Sequence, residues 1–180
     1  ALLNTLATSF VEMFFVISGF SLFYVYVNRM RTKRSAASFF IRRFFRIAPL
    51  YYFLLLVVIC LKMYAHSTGI ELNRPLTAPL VLSNFTFWFG LEQPSNSLLV
   101  GGWSIGVEMA FYLLFPILVI CIRSTRAGIV AFALSCGLLF LYSSKAINTS
   151  VSVSEQWESY TYALTHLPFF IGGILLLFVY

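Results

Sequence analysis

The stretch Trp103-Ser-Ile-Gly-Val-Glu-Met-Ala-Phe-Tyr-Leu-Leu-Phe-Pro-Ile-Leu-Val-Ile-Cys-Ile122 sets the class of this protein. It is an apolar run with one formal charge, Glu108. A hydrocarbon core takes roughly 20 such residues per helical crossing. On either side of it, similar runs extend from about Leu6 to Val27, Ile47 to Tyr64 and Ala127 to Tyr142, and a last one from Leu164 to Tyr180. The whole chain is 60% hydrophobic and only 10% charged, with a mean hydropathy of +0.89. A soluble domain carries about a quarter charged residues, so this surface could not be wetted in the ordinary way. Disorder, a coiled coil and a disulfide scaffold are excluded by the same composition. The expected fold is an all-α, polytopic transmembrane helical bundle with about five spanning helices and one short non-spanning or re-entrant segment.

That short segment lies between about Leu76 and Leu91, where Pro79, Ser83 and Asn84 interrupt the apolar pattern. Topology follows from the cations, because positive loops stay on the cytoplasmic side. Arg29, Arg31, Lys33, Arg34, Arg42, Arg43 and Arg46 form a basic loop with no acid among them, and Arg123 and Arg126 close the run that begins at Trp103. Both groups fall inside only if the 76–91 segment does not cross. Pro49 should then occupy the first turn of the second helix, where a missing N–H costs nothing. Cys60, Cys121 and Cys136 all sit in apolar runs and read as small hydrophobes rather than as a disulfide set. The chain starts with Ala1 and stops inside an apolar run, so it reads as a piece of a longer protein.

Few residues could carry chemistry. Glu12 and Glu108 lie within apolar runs, where an ionisable group costs a few kcal/mol and usually faces a protein interior or a wet cavity. Each also has an interfacial reading, as an acid reaching the headgroups, with Trp103 as a belt aromatic beside Glu108. Arg42, Arg43 and Arg46 share one edge of a helix at i,i+3 and i,i+4 spacing. Their guanidinium forks suit a phosphate, whether on a lipid headgroup or a soluble ligand. His66 reads as a loop residue, and His166, before Pro168 and Phe169 at the outer end of the last run, reads either as a structural residue or as one that lines a site. No metal site is expected, since neither histidine has a spaced ligand partner. Asn84-Phe-Thr86 and Asn148-Thr-Ser150 match the glycosylation sequon.

Three stretches in series resemble the membrane-bound acyltransferase family 3, which O-acylates carbohydrates at bacterial cell surfaces. They are Val11-Glu-Met-Phe-Phe-Val-Ile-Ser-Gly-Phe20, Phe40-Ile-Arg-Arg-Phe-Phe-Arg-Ile-Ala-Pro-Leu-Tyr-Tyr52 and Trp103-Ser-Ile-Gly-Val-Glu-Met-Ala-Phe-Tyr-Leu-Leu-Phe-Pro116, with a weaker echo in Leu167-Pro-Phe-Phe-Ile-Gly-Gly173. The resemblance implies transfer of an acyl group, usually acetyl, from acyl-CoA on the cytoplasmic side to a hydroxyl of a carbohydrate on the outer side. Acyl-CoA is then a co-substrate and no bound cofactor is expected. Arg42, Arg43 and Arg46 would hold the donor. Glu108, supported by Glu12, would serve catalysis, and Trp103, Ser104 and Tyr112 the acceptor. The family's catalytic histidine stands on a helix before the first stretch, so it is expected upstream of Ala1. Residues 1–180 therefore read as a partial transmembrane domain, inactive alone, lacking that helix and the later ones. The expected location is a bacterial inner (plasma) membrane, with the lipid bilayer as partner and no nucleic acid. A transporter with Glu12 and Glu108 as pathway carboxylates, or a lipid-binding scaffold, is the alternative.

Overall fold

A computed structural model describes residues 2–30, 33–70, 75–148, 150–152 and 155–178. Every regular element among them is helical: α1 (Leu2–Tyr26), α2 (Lys33–Ser67), α3 (Ala78–Phe85), α4 (Phe89–Glu92), α5 (Gly102–Cys121), α6 (Thr125–Ala146), α7 (Trp157–Thr161) and α8 (Ala163–Leu176), with a 3₁₀ turn at Pro94–Asn96. Four helices, α1, α2, α5 and α6, are long and apolar enough to cross a membrane. The fifth expected crossing corresponds to α8, which has 14 residues. Water could not satisfy backbone groups at this depth, so closed helical hydrogen bonding is the available solution.

Ring contacts give the helix directions. Phe15 meets both Phe111 and His166, and Phe23 meets Phe178, so α1, α5 and α8 run the same way. Phe39 of α2 packs on Tyr112 and Phe115, while Tyr51 packs on Phe89, nearer the start of α5, so α2 runs opposite. The exposed Arg29, Arg123 and Arg126 consequently share one end of the bundle, as the charge pattern requires. Ala1, upstream of which the catalytic histidine is expected, lies outside the described residues, as do Arg31 and the side chains of Lys33 and Arg34.

With lipid tails as apolar as leucine, helix association rests on close van der Waals packing. α1 and α8 achieve it by touching backbone to backbone. A Cβ on Gly19 would stand 2.0 Å from the Phe170 carbonyl oxygen, and one on Gly173 the same 2.0 Å from that of Val16. Around this crossing Phe15, Phe111, Phe115, Phe170 and Ile174 are buried as one core. The outward faces of α2 and α6 stay apolar and exposed, for example Leu50, Phe53, Leu134 and Phe140, as a lipid-facing surface should.

The 76–91 segment does not span. α3 has eight residues and α4 four, separated by a turn in which Phe87 takes φ 57°. A left-handed conformation costs a non-glycine residue about 1–2 kcal/mol. Phe87 is buried against Tyr51, at 4.6 Å between ring centroids, and that packing holds the turn. A polar knot fixes the segment to its neighbours. Asn84 is fully buried; its Oδ1 accepts from the Tyr51 hydroxyl and the Leu98 N–H, both at 2.9 Å. Its Nδ2 donates to the carbonyls of Leu80 at 2.9 Å and Asn96 at 3.1 Å. An asparagine has four such bonds to make, and all four are made. This burial removes Asn84 as a glycosylation acceptor; in the second sequon Asn148 is exposed and Thr149 lies outside the described residues.

Two expectations need correction. The basic stretch 29–46 is not a loop: from Lys33 it is already α2, which continues without a break to Ser67. Pro49 therefore sits deep inside that helix rather than in its first turn. The reason is amphipathic. Phe39 is fully buried while Ile41, Arg42, Phe45 and Arg46 are exposed, so the stretch has a core-facing side that a helix can bury.

Candidate functional site

Two polar groupings lie along α5, Trp103 in one and Glu108 in the other, less than two turns apart. Glu108 anchors the inner one. Its Oε1 accepts a 3.3 Å hydrogen bond from the Ser18 hydroxyl of α1 and a very short one from the Tyr112 hydroxyl, one turn further along α5. Beyond Tyr112 stands Arg43 of α2. Its guanidinium carbon lies 5.6 Å from the Tyr26 ring centroid and 5.8 Å from that of Tyr112, within cation–π range of both. The charges of Arg43 and Arg46 both act on Glu108. Carboxylate, phenol and aromatic-clamped guanidinium thus form one continuous path from α5 to α2. Arg42 shares the helix edge and, like Arg46, is exposed, whereas Arg43 is half-buried.

This grouping brings together Glu108, Tyr112, Arg43 and Arg46, residues expected on different sides of a reaction. It also includes Ser18 and Tyr26, which the residue-by-residue reading passed over. Serine in an apolar helix ordinarily bonds back to its own backbone, so Ser18 gave no signal outside the family-like stretch that contains it. Beside the site, an apolar groove of about 400 Å³ opens between α2 and α5, with Phe40, Phe44, Phe87, Met109 and Tyr112 in its wall.

The outer grouping takes the remaining expected residues. Trp103 is buried and meets Trp157 and Tyr160 of α7 at 5.7 Å each, and His166 of α8 at 5.2 Å. Glu12 belongs here rather than beside Glu108: its charge acts on the Tyr160 phenol. Burial, and secondarily that charge, push the phenol up to about 12. Ser104 spends its hydroxyl locally, donating to the Gly101 carbonyl at 2.9 Å in the first turn of α5. His166, Trp157 and Tyr160 carried no motif; only their meeting in space marks them. No group of three or more His, Cys, Asp or Glu among the described residues could hold a metal ion.

Comparison with known proteins gives a consistent picture. The model of the acyltransferase family 3, described as an acyltransferase domain, matches residues 1–179. The chain is 29% identical over 122 residues to the peptidoglycan O-acetyltransferase OatA of Listeria monocytogenes, covering 59% of this chain and 18% of that protein. It is 26% identical over 182 residues to an uncharacterized protein of Haemophilus influenzae, covering 93% of this chain and 74% of that protein. The chain thus spans under a fifth of the first relative and about three quarters of the second. No solved structure matches it.

Proposed function

This chain belongs to the acyltransferase family 3, and from that membership we propose that it forms part of a membrane O-acyltransferase moving an acyl group from acyl-CoA to a carbohydrate hydroxyl. The donor's phosphates bind Arg43 and Arg46, with Arg42 at the rim, from the basic, cytoplasmic end of a plasma-membrane protein. Its pantetheine arm runs along the groove between α2 and α5 toward Tyr112. The acceptor enters from the opposite end. Its hydroxyl oxygen bonds to the thioester carbon as the carbon–sulfur bond breaks, and the coenzyme leaves as thiolate. The hydroxyl proton passes to a general base, the histidine that the family resemblance implies upstream of Ala1, a role worth about 10²–10⁴-fold in rate. Glu108, held by Ser18 and Tyr112, orients that base or the acceptor.

The observation that carries this reading is the clamped Arg43. An arginine fixed between two aromatic faces is a pre-organised anion receptor, and its neighbour Tyr112 hands the path on to a half-buried carboxylate. A lipid-anchoring cation would need neither contact. The test is acetyl-CoA binding by the full-length protein. Arg43→Ala and Arg46→Ala should each weaken it by about tenfold or more, the scale of one lost charge-assisted contact. Unchanged affinity in both variants removes these residues from the donor site.

A further inference from the structure

The outer grouping has two unmet polar atoms. Tyr162, with ψ 139°, breaks the chain between α7 and α8 and folds α7 back over the first turn of α8. His166 is thereby buried completely, its ring 5.1 Å from Phe15, 5.2 Å from Trp103 and 5.2 Å from Tyr160. Its Nε2 lies 3.0 Å from the Tyr160 carbonyl oxygen. A carbonyl only accepts, so Nε2 carries the hydrogen, and in the neutral ring Nδ1 presents a lone pair. Among the described residues Nδ1 has no hydrogen-bond partner, and neither has the buried hydroxyl of Tyr160. Buried polar groups are seldom left unmet without a reason. Here one acceptor and one donor are unmet in the same aromatic cluster, with the Glu12 carboxylate close enough to act on the phenol.

Trp157 forms the cluster's outer wall: it is 40% exposed and packs on the buried Trp103 and on Tyr160. It stands apart from the Glu108 site. Trp103 precedes Glu108 by five residues on α5, a helical rise of about 7.5 Å, away from the arginines. A suitable ligand needs an apolar face for the indoles and a hydroxyl that both donates and accepts. An acyl chain lacks the hydroxyl. A pyranose has both.

We propose that Trp103, Trp157, Tyr160 and His166 form a carbohydrate subsite, in which a sugar ring packs on the indoles and one of its hydroxyls donates to His166 Nδ1 while accepting from Tyr160. The proposal rests on the acyl-transfer reading and assigns the acceptor's place within it. The same sugar hydroxyl network keeps the acceptor on the far side of Glu108 from the donor.

The test uses the full-length protein in lipid nanodiscs, with chitotetraose and maltotetraose as probes and tryptophan fluorescence as the readout. His166→Gln keeps a donor for the Tyr160 carbonyl but removes the Nδ1 acceptor. Trp157→Ala removes the ring, and Trp157→Phe keeps an aromatic face. At least one tetrasaccharide should bind saturably, and its affinity should fall about tenfold in His166→Gln and Trp157→Ala, as expected for one lost contact of about 1.4 kcal/mol. Trp157→Phe should retain most of it, and acetyl-CoA affinity should be unchanged in all three variants. Acetyl-CoA binding without binding of either tetrasaccharide overturns the subsite and leaves the donor reading standing. Wild-type tetrasaccharide affinity in both His166→Gln and Trp157→Ala overturns it as well. Sugar binding that depends on His166 in a protein with no acetyl-CoA affinity would instead sink the acyl-transfer reading.

Discussion

Glu108 is a carboxylate held in place by two hydroxyls and biased by two guanidiniums, and each partner can be removed separately. Glu108→Gln keeps the shape and loses the charge. Acyl transfer should fall about 10²–10³-fold, the range seen when one pre-organised electrostatic group is lost, with acetyl-CoA affinity nearly unchanged. Tyr112→Phe leaves Ser18 as the one hydroxyl bonded to Oε1, and kcat should drop about tenfold with little change in KM, matching one hydrogen bond to a charged group. Steady-state kinetics on the full-length enzyme separate the two parameters. Tyr160 gives a pH test outside the spans. Its phenol is pushed up to about 12 from 10.0, so it is protonated across the physiological range. A difference titration in the near ultraviolet, wild type minus Tyr160→Phe, should show no phenolate until well above pH 10, and a midpoint at 10 would contradict its burial. At this scale the sequence was partly legible. Glu108 and the arginines declared themselves because charge in an apolar run needs a reason. Ser18 and Tyr26 did not, because what matters about them is contact across distant stretches of chain, and His166 was marked only by its place at the outer end of the last run.

Among the elements, the α1–α8 crossing depends on two absent side chains. Gly173→Leu must push α8 off the Val16 carbonyl, and overpacking of this kind costs about 1–3 kcal/mol. The midpoint of thermal unfolding in detergent should fall, and a variant as stable as wild type would show that the helices can part. The α3–α4 segment depends instead on Asn84. Asn84→Leu is near in size but leaves the Tyr51 hydroxyl, the Leu98 N–H and the Leu80 and Asn96 carbonyls to find other partners. Each unmet buried group costs about 1–3 kcal/mol, so proteolysis between Thr86 and Ser97 should speed up in native membranes. The weakness of this segment was legible in Pro79, Ser83 and Asn84; what ties it down was not, since Tyr51 and Asn96 are remote in sequence. The start of α2 was misjudged for a physical reason. Dense positive charge reads as a loop, but Phe39 gives the helix that starts at Lys33 a buried face, with Arg42 and Arg46 exposed around it.

Across the whole molecule, charge scarcity marked the membrane and charge placement marks the ends. Arg29, Arg123 and Arg126 lie at one end, the aromatic cluster around His166 lies toward the other, and Arg43 stands level with Tyr112, midway along α5. Glu108 stands between the two ends, joined to Arg43 by Tyr112 and separated from the aromatic cluster by less than two helical turns. On the proposed reading, a donor from the basic end and an acceptor from the opposite end would meet at Glu108. Label transfer across a sealed vesicle, holding the full-length protein in one orientation, measures that meeting. Radiolabelled acetyl-CoA is supplied on the basic side alone, with chitotetraose and maltotetraose on the other. Acetylated sugar should appear on the far side and be lost in Arg43→Ala and Glu108→Gln. Acetylation that is undiminished in both variants, or that occurs only when donor and sugar share a side, would contradict a meeting at Glu108.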